Sequence, residues 1–441
     1  MPMSPSSRQR RVGARAGSGA ARVFLLCGYL VAGSCQRAAV APSPGGSATS
    51  LPGEGAAAPP GSKGSVPSPY RPGWGRPPVI DFHSHLSYDG LDRLRVIRAA
   101  HGIETFVNLS GGSARGGGVQ WLASDLLACK LAGGVINFFS PDWRDFGQAG
   151  WAEREVARLE YAVERHGLRG IKISKALGLG ATVPDGSLVM PDDPRLGPLW
   201  AKAAELGLPV SIHVADPKAF WQPLEPGNER WDELKAHPSW SYADRPEVAS
   251  WAALLDASER LFAANPRTTF VAVHFGNAAE ELDRVARVLD ACPNVWLDVS
   301  ARIGEFGRHP RDRVRAFFAR YQDRIVFGTD IGIGESHLWL GSNGSEEPTM
   351  ADVAPFYEAH FRYFESDEKQ IAHPSPIQGN WRVDAIGLDE ALLTKLYRGN
   401  ALRLLDRAFL RSRAAASEGQ RPPATPPAVA PLAPPAAAPA P

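Results

Sequence analysis

The chain has 441 residues, with 48 Lys and Arg against 47 Asp and Glu, and a formal net charge of +1 at pH 7. A balance this even excludes binding to nucleic acid driven by phosphate neutralisation. The four cysteines, Cys27, Cys35, Cys129 and Cys292, are too few and too scattered for a disulfide framework. Cys129 and Cys292 fall in or beside helical patterns and read as small buried apolar residues.

At the start of the chain, Arg8, Arg10, Arg11, Arg15 and Arg22 precede an apolar run from Val23 to Gly33. That run is too short to span a bilayer. A basic segment followed by a short apolar one is the pattern of an export signal, assigned to residues 1–35. It closes on Leu30-Val-Ala-Gly-Ser-Cys35, which resembles a bacterial lipoprotein signal although Ala32 stands where Leu is usual. The resemblance implies lipidation of Cys35 and membrane association through that anchor. Gln36 carries no acidic retention signal, which points to the outer membrane of a bacterial cell envelope. An ordinary cleaved signal, giving a periplasmic or secreted protein, is the alternative.

Residues 36–71 are dominated by Pro, Gly, Ser and Ala, and residues 412–441 are nearly all Ala and Pro. Such segments bury too little apolar surface to offset the entropy of ordering them. They read as a linker and a tail. One domain remains, from residue 72 to residue 411, a size that suits a single barrel.

Within it, short β-branched runs alternate with helical periodicity. The expected strands are 79–86, 105–110, 134–140, 170–173, 209–214, 269–275, 295–300 and 325–330. Helices are expected over 91–101, 120–132, 151–166, 199–206, 248–264, 279–291 and 311–321, with a closing helix over 389–409. Runs such as Thr269-Phe-Val-Ala-Val273 are apolar throughout, as strands buried on both faces are. Eight β/α units in one domain predict an α/β fold, a (β/α)8 TIM barrel. Its chemistry then belongs at the C-terminal ends of the strands.

Those ends carry His83-Ser-His85, His213, His274 and Asp330. Residues two apart in a strand face one side, so His83 and His85 point together into the barrel mouth. Singly, each has an ordinary structural account: a strand-end His can be a hydrogen-bonded core residue, and Asp330 can cap the next segment. Together, four of the chain's 11 histidines and a carboxylate converge on one end of one barrel. Imidazole with carboxylate suits a borderline divalent cation such as zinc.

These motifs are similar to the amidohydrolase superfamily, in its amidohydrolase-2 branch of metal-dependent hydrolases and nonoxidative decarboxylases. The likeness covers about Val79 to Leu405 and rests on Asp81-Phe-His83-Ser-His85, the later histidines, Phe327-Gly-Thr-Asp330 and Leu396-Tyr-Arg-Gly-Asn400-Ala-Leu-Arg-Leu-Leu405. It implies that His83, His85, His213 and Asp330 hold the metal. It further implies that Asp330 accepts a proton from activated water, and that His274 is a catalytic acid/base or a second metal ligand. Some family members bridge two metals with a carboxylated Lys or a Glu on strand four; one ion is expected here over two.

Strand four reads Gly170-Ile-Lys172-Ile-Ser-Lys175. A Lys inside an apolar strand needs a partner, so Lys172 is expected to reach the site, as ammonium or carbamate. Lys175 is expected to contact substrate from the loop, unless it is simply solvated. The long loop from Asp216 to about Pro246 carries Trp221, Asn228, Arg230, Trp231, His237, Trp240 and Tyr242, which either line a pocket or pack a lid. Arg302 is a candidate to grip a substrate carboxylate, or else pairs with Glu305 or Asp298. Glu365 is a further site candidate. The partner these features predict is a small-molecule substrate; assembly into a homo-oligomer stays open. Three functions are weighed: a hydrolase of an ester, lactone or amide, a nonoxidative decarboxylase of a small carboxylic acid, and a noncatalytic surface binding protein. The intact set of ligand-type residues favours an enzyme.

Overall fold

The computed structural model describes residues 64–110, 123–342 and 344–406. The export signal with Cys35, most of the linker and the Ala/Pro tail lie outside the described residues.

Eight parallel strands alternate with helices. They are β1 (Val79–Leu86), α1 (Leu91–His101), β2 (Ile103–Asn108), α2 (Ala123–Ala132), β3 (Val135–Asn137), α3 (Trp151–His166), β4 (Ile171–Ile173), α4 (Gly197–Leu206), β5 (Val210–Ile212), α5 (Trp251–Ala264), β6 (Phe270–Ala272), α6 (Leu282–Ala291), β7 (Val295–Asp298), α7 (Arg311–Arg320) and β8 (Ile325–Val326). The order β4-β5-β6-β7-β8 forms one sheet, and β1-β2-β3 lie in the other. Both seams between them are bonded. Phe139 bridges Ile171, with Lys172 N donating to Phe139 O at 2.7 Å. On the opposite side Phe82 N donates to Phe327 O at 2.9 Å and Asp330 N to His83 O at 2.8 Å. The fold is the TIM barrel that the alternation predicted.

The helices form because their apolar residues recur at helical spacing. In α3, Trp151, Glu155, Leu159 and Ala162 make the buried stripe, and Gly167, at φ 71°, closes the helix in the left-handed conformation. One core cluster joins Ile80 and Phe82 of β1 to Val107, Val271, Trp296 and Val326 on other strands, and to Ala401, Leu404 and Leu405 of the closing segment. In that segment, Asn400 Nδ2 donates to the carbonyls of Gln322 at 2.7 Å and Ile325 at 2.6 Å, fastening the end of the domain to the start of β8. Cys129 and Cys292 are buried, as expected. Among the described residues no helix is long and apolar enough to cross a membrane.

Two features were not anticipated. After β8 the chain folds back as an antiparallel pair, β9 (Ile331–Ile333) with β10 (Leu338–Leu340), and β9 also extends the barrel sheet alongside β1. Ahead of the barrel, Val66–Pro67 pairs with Gly75–Arg76, so part of the stretch read as linker is built into a strand pair. Ser68, Arg76 and Tyr397 converge on the buried Glu365, with Arg76 Nε at 2.6 Å from it. Glu365 therefore anchors this arm and is not a residue of the mouth, a correction to its candidacy. Its guanidinium partner, Arg76, sits in the N-terminal arm, which a local reading of strand ends does not reach.

Candidate metal centre

β1 delivers His83 and His85 on one side, with ring centroids 5.4 Å apart. His83 is fully buried, whereas the His85 side chain is 37% exposed. His83 Nδ1 lies 2.8 Å from Asp298 Oδ2 and 2.9 Å from Ser300 Oγ. A carboxylate can only accept, so Nδ1 carries the proton and Nε2 presents a lone pair. That Nε2 is buried and without a hydrogen-bond partner. Asp298 also accepts the backbone amide of His274 at 2.8 Å and the Ser300 hydroxyl at 2.6 Å. His274 Nδ1 lies 3.0 Å from Ser300 O, and donating there leaves its own Nε2 free.

The expected strand six ends early. His274 (φ 54°), Phe275 (φ 56°) and Asn277 (φ 54°) occupy the left-handed region, which costs a non-glycine residue about 1–2 kcal/mol. Three contacts hold this turn. Asp298 takes the His274 amide, Phe275 packs at 4.6 Å on Phe306, and Asn277 Oδ1 accepts the amides of Val214 and Ala215 at 3.2 and 3.3 Å. The last contact ties the mouth end of β6 to that of β5.

Asp330 is likewise left-handed, at φ 65°. The approach to it is tight: a Cβ on Gly328 would stand 2.9 Å from the His83 Cβ. Thr329 is clamped by the buried Asp81, which accepts its hydroxyl at 2.6 Å and its amide at 3.0 Å, and also accepts the Tyr357 hydroxyl at 2.9 Å. Burial pushes the Asp81 carboxyl up to about 6, against these hydrogen bonds. Asp81 is thus the residue that sets the Gly-Thr-Asp segment against β1.

Ligand atoms of His83, His274 and Asp330 all lie within 4.8 Å of one another. Asp330 Oδ1 is 3.4 Å from His83 Nε2 and 3.3 Å from His85 Nε2. Of the expected ligands, His83, His85 and Asp330 come together, and His274 joins them. His213 stands edge-on to His274 with centroids 4.4 Å apart, but its Nε2 lies 3.0 Å from Ala215 O. The cause is local: β5 stops at Ile212, so His213 begins a turn and follows the strand direction no further.

The electrostatics favour ligand-competent protonation states. Burial drives His213 and His274 well below the ordinary imidazole value, aided by Lys172 and Lys175 around the first and by His213 and Arg302 around the second. Burial lowers His85 too, against the pull of Asp330. Burial alone would raise Asp330, yet His83, His85 and Lys172 outweigh it and hold the carboxylate below its usual range. Neutral imidazoles and an ionised carboxylate are what a divalent cation needs. The orphaned Nε2 of His83, buried beside that carboxylate, fits such an ion.

Lys172, 5% exposed, projects from β4 with Nζ buried and unpartnered. Burial lowers it to about 8, against Asp298 and Asp330. Lys175 does not hang free for substrate: Nζ lies 2.8 Å from both oxygens of Asp216, which also accepts the Tyr242 hydroxyl at 2.8 Å. Arg302 pairs with neither expected carboxylate. Glu305 is held by Arg230, which also bonds Glu233 at 2.6 Å, and Asp298 is committed to the histidines. The loop aromatics pack together, with Trp221 at 4.5 Å from Tyr242 and Trp240 at 5.7 Å from Trp339. Sequence reasoning missed Ser300 and the orienting role of Asp298. Their i, i+2 spacing at a strand end, the same as that of His83 and His85, was the available signal.

A parallel barrel with imidazoles and a carboxylate gathered at its strand ends defines the class of metal-dependent TIM-barrel enzymes. The sequence pattern of the Amidohydrolase family matches residues 80–407, and the chain belongs to that family. No curated protein matches the sequence. The fold is similar to that of an uncharacterised TIM-barrel protein from Bordetella bronchiseptica (17% identity, TM-score 0.43, covering 75% of this chain and 99% of that one). It is also similar to a 2,6-dihydroxybenzoate decarboxylase from Rhizobium (16%, TM-score 0.42, covering 74% and 98%). A third similar structure is a 4-oxalomesaconate hydratase from Rhodopseudomonas palustris (14%, TM-score 0.40, covering 77% and 99%).

Proposed function

We propose that the protein is a hydrolase that uses one divalent ion, zinc by the character of its donors, to open an ester, lactone or amide of a small molecule. The observation that carries this reading is the buried, partnerless Nε2 of His83, set 3.4 Å from Asp330 and grouped with His274. His83, His85, His274 and Asp330 would hold the ion, with His213 as an adjoining donor. A bound cation supplies Lewis acidity and makes water acidic near neutral pH. Asp330, kept ionised by its neighbours, takes the proton of the attacking water. Asp330 then returns that proton to the leaving group, which balances the step, and His213, neutral against the His274 ring, lines the site.

One observation favours decarboxylation as a second reading. Lys172 offers a buried ammonium, lowered to about 8, which can protonate a carbon that loses CO2. Metal analysis of wild type, His83→Ala and Asp330→Ala, with turnover assayed on lactones, esters, amides and carboxylic acids, tests the proposal. We expect both variants to keep the wild-type circular dichroism and to lose metal and turnover. Full turnover by a metal-free variant sinks the mechanism, and CO2 release without hydrolysis selects the second reading.

A further inference from the structure

Arg302 is 5% exposed, yet its one side-chain hydrogen bond among the described residues is from Nη1 to the neighbouring Ala301 O, at 2.7 Å. A guanidinium has five N–H donors and stays charged, so burying it without a carboxylate is costly. The acids nearby do not relieve this. Arg230 joins Glu233 and Glu305 in a buried cluster whose formal charge is −1, one Arg against two Glu. Arg230 repels the charge of Arg302, and Glu280, Asp216 and Glu233 attract it from a distance without filling its donors. Asp216 is taken up by Lys175 and Tyr242.

Position adds to the case. Arg302 stands two residues beyond Ser300, whose hydroxyl and carbonyl contact His83 and His274, and Ala301 between them is left-handed at φ 52°. The guanidinium is close enough to both His213 and His274 to depress their protonation. Lys172, the other buried cation nearby, has its Nζ wholly enclosed.

The geometry points to Arg302 as the specificity-determining residue for an anionic substrate, one whose carboxylate, separate from the reacting bond, docks on this guanidinium beside the metal centre. This deepens the hydrolase reading and rests on it for the location of the reacting bond. A planar fork and a planar carboxylate form two parallel hydrogen bonds, which a neutral amide of equal shape does not reproduce.

Benzoate and benzamide, alike in shape and different in charge, serve as probes of the metal-loaded protein by calorimetry and thermal shift. We expect benzoate to bind and raise Tm, benzamide to do neither, and Arg302→Gln to weaken benzoate at least tenfold with metal content unchanged. Arg302→Lys, which keeps the charge and loses the fork, should fall between them. It also carries the test if Arg302→Gln does not fold. Equal binding of benzoate and benzamide, or benzoate binding undiminished in either variant, overturns the assignment. If His83→Ala retains metal while Arg302 still governs benzoate, the hydrolase reading fails and the anion site stands.

Discussion

Asp298 accepts a hydrogen bond from the Nδ1–H of His83 at 2.8 Å across 215 residues of sequence, and the same carboxylate accepts the backbone amide of His274. One acid thereby fixes the ring of the first histidine and the turn that carries the last.

Asp298→Asn should consequently weaken the metal site without unfolding the barrel. Losing the orienting acceptor of a ligating His typically costs 10–100-fold in metal affinity. Competition with a chelator of known affinity measures it. Affinity within twofold of wild type would show that Ser300 alone orients His83.

Arg230 is 1% exposed and ties Glu233, before β6, to Glu305, after β7. Arg230→Met leaves two buried carboxylates without their cation. Removing one partner of a buried pair costs about 3–5 kcal/mol, so urea unfolding should show a loss of at least that size. A change below about 1 kcal/mol would place the cluster in a wetter environment than its burial indicates.

Lys172 gives a pH dependence whose sign follows from its lowered folded-state value, about 8 against 10.5 when unfolded. Between those values the unfolded chain binds more protons, so its contribution to stability rises with pH. Below pH 8 the buried ammonium is a full cost, about 3 kcal/mol by the size of the shift. In chelator-treated protein, Lys172→Met should therefore raise stability most below pH 8, and the gain should fade towards pH 10.5. A gain independent of pH would locate the effect in packing.

For the region outside the described residues, the lipid anchor proposed at Cys35 makes its own prediction. Cys35→Ser should shift the protein from the membrane fraction to a soluble one or to unprocessed precursor, and abolish palmitate labelling. Unchanged fractionation and labelling would leave the ordinary cleaved signal as the account.

The barrel was legible because each strand and helix announces itself locally: β1, α1 and α3 fall at their expected bounds, since apolar periodicity depends only on neighbouring residues. Strand-end logic also singled out His83, His85, His213, His274 and Asp330, though it gave the ligand role to His213 where the structure groups His274 with His83 and Asp330. What it could not supply was the last turn of chain beyond each strand. The left-handed turn at His274 exists because Asp298 and Asn277 hold it, and no pattern in residues 269–277 encodes those partners. Likewise Glu305, three residues on, stood as a partner for Arg302 by spacing, yet a loop from another part of the chain brings Arg230 onto it instead. Pairings among charged residues are set by tertiary proximity, and short spacing is only a weak guide to them.

Gly328 shows how space, with no reactive group at all, governs this centre. Hydrogen is the largest substituent the site admits there, because the His83 Cβ occupies the ground that any further carbon would claim. Even Ala, chemically inert, would push the carboxylate-bearing segment away from the first strand. Random mutagenesis across residues 327–330 should thus find this position as intolerant as Asp330, and reverting chemistry elsewhere would not rescue it.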